Sequence, residues 1–421
     1  MKAINISTLV YKERRDDYML NSNGNRELAY VTHIDEIRPI PNYDRVEYAR
    51  VGGWWVIVRK DQFKVGDLAI YIEVDAKVPA DNPAFEFLAK RDFKVKTLKM
   101  CKVISQGLLM EPADFGWTLN GTATINANGD TLAEGDFLTE RLGITYADPE
   151  DNKRKANTED KYQKMKHRHP KIFKSKFAKW MMKTQFGRDI MFFFFGKKKD
   201  KKHSFPYWVV KTDEERCQNM PFLFPGDPNT LWYATEKIDG TSTTFTMKRK
   251  KIGKPEFLVC SRNVVFDVPN KDCFYETNVY LEMAEKYNVK SVLADILKND
   301  ASLDFVTLQG ETYGKDIQKR DYSKDYHDFM AFNLIFGYKN GTIIRLNPIR
   351  MTAFLAKYNI PTVPIVDTKF VIPSTCDELL KIATGKSAID GGMREGLVFR
   401  SEDGARSFKA VSNEFLLKYH Q

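Results

Sequence analysis

Glu236-Lys237-Ile238-Asp239-Gly240-Thr241-Ser242 is the stretch on which the reading of this chain turns. Tyr233 to Glu236, leading into Lys237, reads as a strand, and Gly240 beyond the lysine as a tight turn. A lysine at the end of a strand, followed by such a turn, presents its amine into a pocket. A lone K-x-D-G arises by chance fairly often. Its weight comes from the ordered motifs downstream. Ser261-Arg262-Asn263 comes next, then Gly310-Glu311 at the close of an apolar strand, then Phe329-Met330-Ala331-Phe332 on another. Glu395-Gly396-Leu397-Val398 and Ser407-Phe408-Lys409-Ala410-Val411 complete the set. Each member has a plain explanation alone. Lys237 and Asp239 would be an ion pair on a surface turn, Arg262 a turn residue, Glu395 and Arg400 strand-edge charges, and Phe332 ordinary core. Those explanations do not account for the order of the whole set.

This ordered set resembles the covalent nucleotidyltransferases, namely DNA ligases, RNA ligases and mRNA capping enzymes, from about Lys211 to the C-terminus. Three features make it similar to the ATP-dependent RNA ligases with an N-terminal OB domain, the fifth RNA ligase family. Thr241-Ser242 stands where DNA ligases and capping enzymes usually carry Arg. An OB-like segment precedes the lysine motif. Only 12 residues follow Lys409, so the C-terminal OB domain of DNA ligases and capping enzymes is not expected. Lys211-Thr212-Asp213-Glu214-Glu215-Arg216 also looks like that family.

The resemblance implies a three-step chemistry. Lys237 would attack the α-phosphorus of ATP and expel pyrophosphate, leaving a lysyl-AMP. AMP would pass to an RNA 5′-phosphate, and a 3′-hydroxyl would then displace it. All three steps are in-line displacements at phosphorus, in which positioning and charge neutralisation matter most. An ordinary lysine titrates near ~10.4 and must lose its proton to attack, so nearby cations, including a divalent metal and Lys409, are expected to lower it. Glu236 would accept from the adenine amine, favouring ATP over GTP, with Ile238 in the same nucleotide pocket and Phe332 stacked on the base. Asp239, Glu311 and Glu395 would gather Mg²⁺ (or Mn²⁺) and its waters, unless Glu311 holds the ribose hydroxyls instead. Arg262 would contact ribose or the phosphate end of the substrate. Lys409 would neutralise the α-phosphate, and Arg216 would orient pyrophosphate. One departure stands out. Many relatives have Lys-x-Lys in the last motif, but here the second position is Val411. Lys409 would act alone, or Lys418 or the basic middle segment would substitute.

The rest of the chain is consistent with this. Its 421 residues, 43% hydrophobic, suffice for two or three domains. The expected fold is multidomain α+β. Residues 1–146 would form an OB-like β-barrel, 147–204 a basic helical linker, and 205–421 a nucleotidyltransferase domain of antiparallel sheets and helices. In the first part, Trp54 to Val58 and Leu68 to Val74 read as strands around the turn Val65-Gly66-Asp67. Together with Ile40 to Glu47, Gly53-Trp54 and Ser105-Gln106-Gly107 they look like OB domains that bind nucleic acid. Further on, Phe257 to Cys260 and Phe305 to Gln309 read as strands, and Tyr275 to Tyr287 and Asp377 to Thr384 as helices.

The net charge of +10 is concentrated. Asp151 to His203 holds 18 Lys/Arg against 5 Asp/Glu, and the remainder 48 against 51. Within that segment, Lys171 to Lys183 interleaves lysines with Ile172, Phe173, Phe177, Trp180 and Met181 at helical spacing. A linker helix with a solvated face, a clamp on RNA phosphates, and a membrane-surface helix all fit. Five scattered cysteines without a C-x-x-C pair argue against a disulfide framework or zinc site. With no signal peptide, and no apolar run near the ~20 residues of a span, the chain is expected to be soluble, intracellular and off the membrane. The expected partners are RNA ends, at nicks in duplexes with RNA on the 3′-hydroxyl side, met by a monomer. A capping-type guanylyltransferase and an inactive ligase-like RNA-binding protein are the alternatives. The first would take label from GTP, the second from neither nucleotide.

Overall fold

The K-x-D-G stretch is a crossing between two sheets. Lys237 ends the strand Trp232–Lys237, and Thr241 opens the strand Thr241–Lys248. The first belongs to a five-stranded sheet and the second to a six-stranded one. In the computed structural model, the described residues are 26–147 and 205–419, apart from 122, 211, 225–228, 263, 267–277, 403 and 405. Between these stretches they are 172, 175–182, 184, 187, 190 and 191.

In the five-stranded sheet, Glu215–Arg216 runs parallel to Ser407–Val411, and the other neighbours are antiparallel. Its order continues through Gly396–Ser401 and Trp232–Lys237 to Ile365–Phe370. The Lys237 strand is buried along nearly its whole length, as a strand covered on both faces is. The six-stranded sheet is antiparallel and centred on Thr241–Lys248, Leu303–Gly314 and His327–Tyr338. The helices Val279–Lys286 and Val289–Asn299 bring Val279, Met283, Val292 and Leu293 into its core. Glu311 lies within the strand Leu303–Gly314 rather than at its close, because the pairing with His327–Tyr338 continues to Gly314.

The N-terminal part is antiparallel. Leu68–Ile72, buried throughout, pairs with Ala29–His33 on one side and Leu108–Met110 on the other. Glu36–Ile40, Tyr43–Val51 and Trp54–Arg59 form a meander, and Thr145–Tyr146 pairs with Ala76–Lys77. The basic middle segment contributes the helix Lys176–Met181. The rest of the amphipathic helix expected over 171–183, and the lysine run 197–202, lie outside the described residues apart from the few positions named above. No helix among the described residues is long and apolar enough to cross a membrane.

The two parts meet through buried polar groups. Arg26 donates to Glu73 at 2.7 Å and to Glu215 at 3.1 Å. Asn219 donates to the same two carboxylates at 2.6 and 2.8 Å and accepts from Trp54 Nε1 at 2.5 Å. Such a network is costly to bury and contributes definition of geometry more than stability. Cys217 and Cys376, distant in sequence, approach to 3.8 Å as free thiols.

Gly240 is required by close approach. A Cβ there would lie 2.4 Å from the Thr312 carbonyl oxygen and 2.8 Å from Glu311 Cγ. Gly240→Ala should therefore lower stability by about 1–3 kcal/mol, as overpacking of a fixed contact does. Denaturant melts would show this as a fall in midpoint, and an unchanged midpoint would mean that the crossing can relax away from Thr312.

Candidate active site

Lys237 Nζ lies 2.7 Å from Glu395 Oε2. The pairing follows from the sheet, because Lys237 faces Gly396 across an antiparallel register and Glu395 precedes it. Gly396 itself leaves no room for a side chain, since a Cβ would sit 2.2 Å from the Ala410 carbonyl oxygen. Glu311 reaches the same place from the other sheet, where it faces Ser242. Asp239 sits on the crossing, its backbone N–H donating to the Tyr322 hydroxyl at 2.6 Å, while Gln318 donates to the Gly240 carbonyl at 3.0 Å.

These carboxylates govern the lysine. Burial alone would lower the Lys237 amine, but Glu395, Glu311 and Asp239 together raise it above the ordinary lysine value. The acidic neighbours thus set the direction of the shift. Crowding shows on the acids too. Burial pushes the Glu311 carboxyl up to about 8, and Glu395 and Asp239 add to this against the opposing pull of Lys237 and Arg262. Among the described residues, no three carboxylate, imidazole or thiolate groups form a ready cage for a metal ion. Asp239, Glu311 and Glu395 ring the amine instead.

Two further cations share one acceptor. Lys409 Nζ donates to Asp213 Oδ1 at 3.1 Å, and Arg262 pairs with Asp213 Oδ2. Burial lowers the Lys409 amine, and Arg26, Arg216 and Lys237 lower it further against the pull of Asp213. Asp213 is held well below the usual carboxylate range, because Lys409 and Arg262 outweigh its burial. The Arg262 guanidinium lies 5.2 Å from the Tyr146 ring centre, the tyrosine coming from the N-terminal part.

Next to the lysine along the chain, Ile238 belongs to an apolar cluster. It packs with Tyr313, Tyr322 and Val363, and half-buried Phe332 and Met330 lie against them. Glu236 is buried. Its Oε2 accepts from the Ala388 N–H at 2.9 Å, while Oε1 has no hydrogen-bond partner among the described residues. Phe332 is held by its backbone, its carbonyl accepting from Arg400 at 3.1 Å. Arg400 is buried and also pairs with Glu214, so it is no strand-edge charge.

Arg216 differs from its expected place. It is buried against the N-terminal part, bonded to Asp75 at 2.9 Å and 5.9 Å from the Trp54 ring. Val411 is buried opposite Gly396, and Lys418 is exposed over its neighbour Tyr419. Neither adds a second cation to the group around Lys409.

Residues 28–112 match a family model described as an OB-fold domain, and residues 230–420 match the RNA ligase model. The chain carries an N-terminal OB-fold domain followed by an RNA ligase domain. Solved structures agree. A mutant of the Naegleria gruberi RNA ligase with ATP and Mn is 25% identical, with a TM-score of 0.68 over 94% of this chain and 100% of that one. Another mutant, with AMP and Mn, is 25% identical, with a TM-score of 0.67 over 94% and 99%. The same ligase with PPi, at 24% identity and a TM-score of 0.66 over 93% and 98%, shows the same fold. A comparison with curated proteins finds no match.

Glu311 makes the stability of this RNA ligase depend on pH. In the unfolded chain it would ionise near its ordinary value of 4.5, but in the folded site it keeps its proton to about 8. Between these values the unfolded state gives up a proton that the folded state retains, so stability falls as pH rises. Glu311→Gln, melted with chelator present, should therefore unfold at a higher temperature than the parent near pH 8. The gain should vanish near pH 4. A gain of equal size at both would mean that folding leaves the Glu311 carboxyl at its ordinary value.

Proposed function

We propose that this RNA ligase takes AMP from ATP onto Lys237 and uses it to join RNA 3′-hydroxyl and 5′-phosphate ends at nicks in duplexes. The observation that carries this is the placing of the Lys237 amine, ringed by carboxylates, between Ile238 of an apolar cluster and the buried Glu236, whose Oε1 has no hydrogen-bond partner among the described residues. An acceptor in that position suits the exocyclic amine of adenine, and a guanine oxygen there would face it unfavourably. Ile238 and Phe332 form the apolar surface on which a base lies.

In the first step the Nζ–P bond forms as the P–O bond to pyrophosphate breaks. In the second, AMP leaves Nζ for the RNA 5′-phosphate. In the third, the 3′-hydroxyl displaces AMP. Lys409 and Arg262 stand as donors for the phosphate oxygens on which charge gathers. Arg216 is set apart from them by Asp75, and orienting pyrophosphate would require it to leave that pair. A divalent ion fits the surplus of carboxylates, which is visible in the raised Glu311. Asp239, Glu311 and Glu395, whose side chains surround the amine, are the residues that would hold it. Mg²⁺ or Mn²⁺ there would supply positive charge that offsets these acids, which favours the neutral Lys237 amine.

In domain terms, residues 1–146 would present the duplex, 147–204 link, and 205–421 carry the chemistry. The expected assembly is a monomer acting on nicks with RNA on the 3′-hydroxyl side.

Purified protein incubated with Mg²⁺ and α-labelled ATP should retain label through denaturation. It should retain none from labelled GTP, and Lys237→Ala should retain none from either. Residual label in Lys237→Ala would refute the nucleophile, label from GTP would move the protein to capping chemistry, and equal sealing of all-DNA nicks would sink the RNA reading.

A further inference from the structure

Four consecutive residues ahead of the Lys237 strand tie three parts of the molecule together. Asp213 binds Lys409 and Arg262. Glu214 binds Arg400, which holds the Phe332 carbonyl, and also accepts from Ser407. Glu215 and Arg216 face the N-terminal part through Arg26 and Asp75. The short strand Glu215–Arg216 fixes this strap by pairing with Phe408 and Lys409 themselves.

We propose that Asp213 is a positioning residue for nucleotidyl transfer, a shared carboxylate that sets the Lys409 ammonium and the Arg262 guanidinium at the phosphate end of the site. This rests on the reading of Lys237 as nucleophile. Each oxygen of Asp213 takes one cation, Oδ1 the lysine and Oδ2 the arginine. That fixes the separation of two long side chains that would otherwise repel each other and explore many rotamers. The pairing leaves capacity for substrate. An ammonium has three N–H donors and a guanidinium five, so each keeps donors for phosphate oxygens after bonding Asp213. Tyr146 adds a cation–π contact to the guanidinium at 5.2 Å. No sheet hydrogen bond depends on the Asp213 side chain, because the strand pairing begins at Glu215.

A positioning role and a merely structural one differ in what they disturb. The Asp213 carboxylate is engaged by Lys409 and Arg262 and not by the cluster of Ile238 and Phe332 or by Glu236, so nucleotide affinity should survive the loss of Asp213 while the maximal rate should not. The test is single-turnover formation of protein-bound AMP by the full chain over a range of ATP concentrations, for the parent, Asp213→Asn and Asp213→Glu. The bound label at the plateau counts active sites. Asp213→Asn should reach the same plateau with half-maximal ATP within about twofold of the parent, and its maximal rate should fall about 10- to 100-fold, the scale set by small misplacements of catalytic groups. Asp213→Glu, which keeps the charge but changes the reach, should lie between. A maximal rate for Asp213→Asn within twofold of the parent would overturn the proposal, as would a rise in half-maximal ATP that accounts for the whole loss. If Asp213→Asn melts early, Asp213→Glu decides by the same split. A parent that binds no label overturns the reading of Lys237 and this inference with it, whereas an active parent with an unaffected Asp213→Asn overturns this inference alone.

Discussion

The contact between the Lys237 amine and the Glu395 carboxylate, with Glu311 and Asp239 close by, is the interaction around which the rest of the ligase is arranged. It sets up a contradiction. A nucleophilic amine must be neutral, yet its own protein holds it charged. The contradiction resolves if the positive charge that offsets the acids arrives only with the nucleotide and its metal ion. The resting site is then protected from unproductive chemistry, and the amine becomes reactive when the substrate is in place.

The two-sheet architecture makes that contact possible. Lys237 and Glu395 come from neighbouring strands of one sheet, Glu311 from the other, and the three residues of the crossing carry Asp239 between them. Gly240 and Gly396 sit where the backbones pass too closely for a side chain. Ile238, next to the lysine, belongs to the apolar cluster with Phe332, Glu236 is buried on its other flank in the chain, and Lys409 and Arg262 are paired through Asp213. A nucleotide laid across this arrangement would have its base, its reacting phosphorus and its phosphate charge each met by a different chemistry. The N-terminal part is not separate from it, since Tyr146 reaches Arg262 and Asp75 holds Arg216.

Much of this is legible in the sequence, and the limits have physical causes. The strands at Trp54, Leu68, Tyr233 and Phe257 declare themselves by short β-branched and aromatic runs, and the helix Cys376–Ala383 by its apolar spacing. Lys237, Glu311, Glu395 and Lys409 can be found because the order of their motifs is rare. Asp213 is visible within Thr212 to Arg216, but nothing local marks which acid in an acidic run will meet a lysine 196 positions away. Arg400 resembles an exposed strand charge because its pairing with a distant glutamate leaves no trace in its own neighbourhood. Tyr146 looks like any aromatic at the end of a barrel. The Lys237 environment is not legible either, since the sign of its shift depends on whether acids or cations stand nearer, and only the folded geometry decides that.

The central claim is that AMP stored on Lys237 is the energy source for joining RNA. It is tested most directly by charging the protein with ATP and Mg²⁺, removing all free nucleotide, and adding a nicked RNA duplex with a 3′-hydroxyl and a 5′-phosphate. The account predicts joined strands in an amount matching the bound AMP, with AMP released in step. Bound AMP that stays on the protein while the nick remains open, or joining that occurs only when fresh ATP is supplied, would contradict it.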